Sequence, residues 1–168
     1  EGYDALSIRR IAAAAEYSPA TIYLYFKDKD EILHELMEMG FNLMTQNMQD
    51  AFSETDAKIR VFKIGLAYTK FGIENPEWYH IMFQSEKPMN HLEKCKQEWC
   101  EGIQLFDFLT KSCEEIIATN QRIKFPAKIL ALHLWSVTHG IVSLIHSQRL
   151  DILEGDDPYQ LAMQTIEA

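Results

Sequence analysis

The sequence predicts an all-α protein, with a helix-turn-helix at its N-terminal end and a helical bundle behind it. Three observations lead there. Apolar residues recur at three- and four-residue steps through most of the 168 positions, with charged residues between them. Proline and glycine are sparse, at 5 and 7, which favours long helices over strands and turns. Two short helical segments near the start are separated by only a three-residue turn.

The first of these segments runs from Ser7 to Ala15. Ser7 suits the N-cap, because its hydroxyl can accept a backbone N–H left open at the helix start. Ile8, Ile11, Ala12 and Ala15 share one face, and the alanines permit close approach of a neighbour. After Glu16-Tyr17-Ser18, a second short helix is expected from Pro19 to Phe26. Ser18 caps it, and Pro19 takes the first helical position, where its missing N–H costs nothing. Ile22 and Phe26 point inward; Thr21 and Tyr25 lie on another face. From pattern alone, this unit is either a DNA-docking helix-turn-helix or an ordinary helical hairpin.

Asp28 opens a third helix as its cap, with Glu31 placed like a capping-box partner. Ile32, Leu33, Leu36, Met37, Gly40 and Met44 form its apolar stripe, and it is expected to reach about Phe52, long enough to join two domains. Further helices are expected over Ala57–Glu74, stopped by Asn75-Pro76; over Glu77–Gln84; over Asn90–Ala118; from Pro126 to Arg149; and from Asp157-Pro158 onward. Short connections of this kind suit a bundle. The segment Pro126–Arg149 is apolar nearly all round, which predicts burial on all sides: one face inside its own chain and another against a second subunit. The domains divide as 1–52 and 53–168.

Composition narrows the function classes. A net charge of −9 excludes a surface that binds nucleic acid all over, and leaves room for a small local contact face. Three cysteines (Cys95, Cys100, Cys113) without a CxxC pair read as free thiols in a reducing cytoplasm. No opening stretch reads as a signal peptide, and Ile129–Ile145 carries too many polar residues for a bilayer span. His91 and Cys95 stand four apart, with Glu98, Cys100 and Glu101 nearby, but no second spaced pair supports a metal, and none is expected. No nucleophile–base pair, paired carboxylates or cofactor loop points to an enzyme, and no cofactor is expected.

The stretch Ser7 to Leu33 resembles the DNA-binding region of TetR-family regulators. The Thr-Ile-Tyr-x-Tyr-Phe-x-x-Lys core from Thr21 to Lys29 is much more specific than a generic helix-turn-helix. Leu134-Trp135-Ser-Val-Thr-His139-Gly140-Ile-Val-Ser-Leu144 is similar to the Trp-His-Gly signature of one C-terminal domain type in that family. Between about Phe52 and Phe125, only the helix pattern matches. The resemblance implies a nine-helix fold, a homodimer built through the last two long helices, and a basic first helix that would precede Glu1. Glu16 stands where glycine is common, and Pro19 where a polar DNA contact is common.

By that resemblance, Pro19–Phe26 is the recognition helix and enters the major groove of a pseudo-palindromic operator. Ser7, Arg9, Ser18, Pro19, Thr21, Tyr23, Tyr25 and Lys29 form the DNA-facing set. Hydroxyls meet phosphates, and the Lys29 ammonium with the open N–H groups of its helix start makes a phosphate site. Only Arg9, Arg10, Lys27 and Lys29 supply positive charge there. In the body, Tyr68, Phe71, Trp78, Tyr79, Phe83, Trp99, Phe106 and Trp135 offer aromatic surface to a small apolar or aromatic effector, with His139 as a hydrogen-bonding group; simple core filling is the alternative for each. The expected function is a cytoplasmic repressor released from its operator by that effector. The rivals are a dimeric DNA-binding regulator without a ligand, and an all-α small-molecule carrier or enzyme.

Overall fold

A computed structural model describes residues 7–84, 101–120, 122–152 and 157–167. Its elements are α1 (Ile8–Ala14), α2 (Pro19–Tyr23), α3 (Lys29–Asn47), α4 (Gln49–Phe52), α5 (Ala57–Glu74) and α6 (Pro76–Tyr79), which passes into a π-helical turn at His80–Gln84. After these come α7 (Glu101–Thr119), α8 (Ala127–His146), a 3₁₀ turn at Leu150–Ile152 and α9 (Pro158–Glu167). No strand occurs among the described residues.

The caps explain where the first helices begin. Ser7 Oγ accepts the Arg10 N–H, Ser18 Oγ accepts the Thr21 N–H, and Asp28 Oδ1 accepts the N–H groups of Asp30 and Glu31. Glu31 reaches back one residue further than a capping box requires and accepts the Lys27 N–H at 2.6 Å. Helix α1 ends in a Schellman motif: the Tyr17 N–H donates to Ala12 O and the Glu16 N–H to Ala13 O, with Glu16 left-handed at φ 59°. A glutamate there costs about 1 kcal/mol of backbone strain, which is the reason glycine suits the position.

Two apolar cores result, and α3 serves both. Ile8, Ala12, Ile22 and Ile32 form the smaller one, with Ile11, Phe26 and Leu36 against it. Met44, Met48, Ala51, Ile64, Tyr68, Phe71, Tyr79, Met82, Leu109, Cys113, Ala131 and Val142 form the larger. The expected single helix to Phe52 breaks at Met48 (φ −100°, ψ 6°), where an i→i+3 bond to Thr45 O tightens the turn. No proline or glycine marks the break; the fully buried Met48 side chain is seated in the larger core there.

Arg60 is buried with every guanidinium nitrogen engaged. Its Nε donates to Ser112 Oγ, Nη1 to Glu54 O, and Nη2 pairs with Glu115 at 2.6 Å. That satisfaction is what makes a charge tolerable inside, and it ties α5 to α7 and to the α4–α5 connection. Within a single chain, helix α8 buries one face. Ala131, Thr138 and Val142 are its buried residues, and it contacts α5, α7 and α9, while Ile129, Leu132, Val137 and Leu144 are exposed. By length and apolarity alone α8 would pass for a bilayer span, but its other face is packed into the larger core.

Gly72 sets the approach of α5 to α8. A Cβ built there would lie 2.8 Å from Val142 Cγ1 and 3.1 Å from Tyr79 Cδ2. Valine has few rotamers with which to yield. Gly72→Ala is therefore expected to lower stability by about 1–2 kcal/mol even after the roughly 1 kcal/mol gain in helix propensity, and chemical denaturation checks it.

Candidate functional site

Helix α2 is seated by Ile22, its one buried residue, and by the partly buried Phe26 just beyond its end. It is shorter than expected, stopping at Tyr23 rather than Phe26, with Leu24 as C-cap. The outward side is unusually apolar for a free surface: Tyr23 is 58%, Tyr25 75% and Leu24 80% exposed. Ser7, Arg9, Ser18 and Pro19 are exposed on the same N-terminal unit. Thr21 is partly buried, and its hydroxyl lies 2.9 Å from Ser18 Oγ. Lys29 is the partly buried first residue of α3. The N–H groups of Asp30 and Glu31 already donate to Asp28, each at 3.0 Å, so they are not open to a phosphate. That leaves the Lys29 side chain as the expected source of any charged contact at this helix start.

In the body, six of the expected sensor residues meet. The Tyr79 hydroxyl lies 2.7 Å from His139 Nδ1 and the Tyr68 hydroxyl 3.0 Å from the same atom. Trp135 Nε1 donates to the Tyr68 oxygen at 3.2 Å. Phe83 packs on Tyr68, Tyr79, Trp135 and His139, and Phe106 on Trp135, at ring-centroid separations of 4.9–6.3 Å. Burial pushes both phenols up, Tyr79 to about 12, so both stay protonated. Burial likewise holds His139 below the usual histidine range, which keeps it neutral near pH 7. With Nδ1 held by the phenols, the Nε2 edge of His139 has no hydrogen-bond partner among the described residues.

Phe71 is buried in the larger core without a described ring partner, and Trp78 packs instead over Gly40 of α3. Trp99 lies outside the described residues, as do His91, Cys95, Glu98 and Cys100. Cys113 is buried, and that burial raises its thiol to about 11, which leaves it unreactive at neutral pH. An open cleft of about 220 Å³ lies elsewhere, between α3–α4 and α7, lined by Thr45, Phe52, Glu101, Gln104, Leu105 and Phe108. Sequence reasoning missed this cleft, the exposed Leu24, and His146, whose Nε2 lies 2.9 Å from Gly72 O. Leu24 had a signal: an aliphatic residue opposite Ile22 on a short helix.

A capped helix-turn-helix with an exposed second helix, joined to a helical bundle, is the arrangement of a DNA-binding transcriptional regulator. Residues 1–36 match the family model for bacterial regulatory proteins of the tetR family, and residues 61–168 match that for a tetracyclin repressor-like C-terminal domain. The chain belongs to the TetR family. A protein of Haemophilus influenzae (strain ATCC 51907 / DSM 11121 / KW20 / Rd) described as an uncharacterized HTH-type transcriptional regulator is 29% identical over 125 residues, covering 70% of this chain and 67% of that one. Among solved structures, the fatty acid degradation regulator FadR of Bacillus halodurans superposes with a TM-score of 0.74 at 14% identity, covering 99% of this chain and 85% of that one. The TetR family transcriptional regulator PfmR of Thermus thermophilus gives 0.71 at 17%, covering 99% and 85%. These two likenesses support the fold.

If Lys29 meets a phosphate through charge alone, Lys29→Ala weakens binding to all duplexes about equally. The slope of log affinity against log salt falls by about 0.9 per lost contact. An unchanged slope removes Lys29 from the contact set.

Proposed function

We propose that this regulator is a homodimeric, cytoplasmic repressor that leaves a pseudo-palindromic operator when a small apolar or aromatic effector enters the body. In this reading, residues 1–52 carry the DNA contacts through Ser7, Arg9, Ser18, Pro19, Thr21, Tyr23, Tyr25 and Lys29, and residues 53–168 carry the effector and dimer contacts. The observation that supports it best is the polar chain Trp135–Tyr68–His139–Tyr79 inside an aromatic shell. A core that only needed filling would be cheaper without two buried phenols and the partly buried Trp135 and His139 groups that partner them. Their mutual bonds fix the imidazole ring and leave Nε2 to meet a ligand oxygen or nitrogen.

The dimer reading has its own support. Ile129, Leu132, Val137 and Leu144 are exposed along α8, and a Cβ built on Gly140 would meet nothing within 4 Å. Gly140 lies one turn from both Val137 and Leu144, so two copies of α8 can cross closely at that point.

The two parts are tested together. A compound that quenches Trp135 fluorescence is expected to lower operator affinity by about 5–150-fold, and His139→Phe is expected to abolish the effect. Operator affinity that stays constant with every bound compound would favour a regulator without an effector. Val137→Glu is expected to give a folded monomer in analytical ultracentrifugation; a dimer that survives it moves the interface off α8.

A further inference from the structure

On the side away from its core, α2 and its C-cap present a small and an aliphatic side chain, Ala20 and Leu24. Ile22 is the buried residue of α2. At 3.6 residues per turn, Ala20 and Leu24 each lie about 160° from Ile22, on either side of the line pointing straight outward. Both are exposed, and Leu24 at 80% is more exposed than any other large apolar side chain among the described residues. Tyr23 flanks this ridge on one side. On the other, the Thr21 hydroxyl is already paired with Ser18.

If α2 enters the groove with Ile22 turned to its own core, the side chains on the line facing the base edges are a methyl and an isobutyl group. Neither donates nor accepts a hydrogen bond, so the donor and acceptor pattern of the major groove is closed to them. One apolar feature is present on that floor, the 5-methyl group of thymine. An amino group or carbonyl facing Leu24 would lose water and gain no partner.

We propose that Leu24, with Ala20 beside it, selects thymine at one position of each operator half-site by contact with its 5-methyl group. The inference rests on α2 being the helix that enters the groove. It makes Leu24 a specificity-determining residue, distinct from the hydroxyls and the lysine that position the helix on phosphates.

Deoxyuridine isolates the contact, because it keeps every hydrogen-bonding group of thymine and lacks only the methyl. The full-length protein is used to select an operator from random duplexes, and each thymine is then replaced singly by deoxyuridine. One thymine per half-site is expected to give an affinity loss of about four-fold, and both together about sixteen-fold. Leu24→Ala is expected to bind the thymine and uracil operators equally at that position, and Leu24→Met to retain most of the discrimination. Because Leu24 is exposed, both variants are expected to keep wild-type helicity by circular dichroism. Absence of any methyl-sensitive position, or equal sensitivity in Leu24→Ala, overturns the proposal. Failure of the wild-type protein to select any duplex is a different result: it removes the DNA-docking reading, and this inference with it.

Discussion

Helix α3 buries side chains in two separate cores, and the rest of the molecule is arranged around that fact. Near its start, Ile32 and Leu36 complete the small core that seats α1 and α2. Near its end, Met44 sits in the large core of the body. Between these points α3 is held to the body by close approach. A Cβ on Gly40 would lie 2.7 Å from Met82 Sδ, and one on Gly102 would lie 2.9 Å from Phe41 Cζ. Glu38 adds a polar tie, accepting the Glu101 N–H at the described start of α7. A tilt of α7 or of the π turn at His80–Gln84 must therefore be followed by α3 or break these contacts.

The small head unit has little else to hold it. Its core has four buried side chains, and α2 is five residues long. An isolated helix of that length does not form in water, so α2 exists because Ile22 and Phe26 are packed and Ser18 caps it. The strained Glu16 turn then sets the angle between α1 and α2. The outcome is a rigid presentation of Tyr23, Leu24 and Tyr25 to the outside, at the expense of exposing apolar surface that a monomer in water would do better to hide.

Much of this was legible in the sequence because it is local. Ser7, Ser18 and Asp28 announced three helix starts, and the positions of Ile8, Ala12, Ile22 and Ile32 announced the face that α1–α3 share. What was not legible depends on partners far along the chain. The break at Met48 has no proline or glycine to mark it, and follows from how Met48 is buried. The meeting of Tyr68, Tyr79, Phe83, Phe106, Trp135 and His139 could be expected only as aromatic surface, because their convergence needs the α5–α8 crossing and the π turn. The Asp28 cap is local and visible in the sequence, and it competes with any phosphate for the N–H groups of Asp30 and Glu31. The all-round apolar run of α8 showed that more than one face needs cover, but which residues face the chain's own core depends on the α5 and α7 crossings.

Helix α3 is expected to move as one body with both cores. Native-state amide hydrogen exchange tests it directly. The amides from Leu33 through Met44 are predicted to exchange with one common opening free energy, matched by the buried stretch of α5 around Ile64–Tyr68. Fast exchange of the first half of α3, with a step in protection near Met37–Gly40, would show that the head opens independently of the body and would contradict the claim.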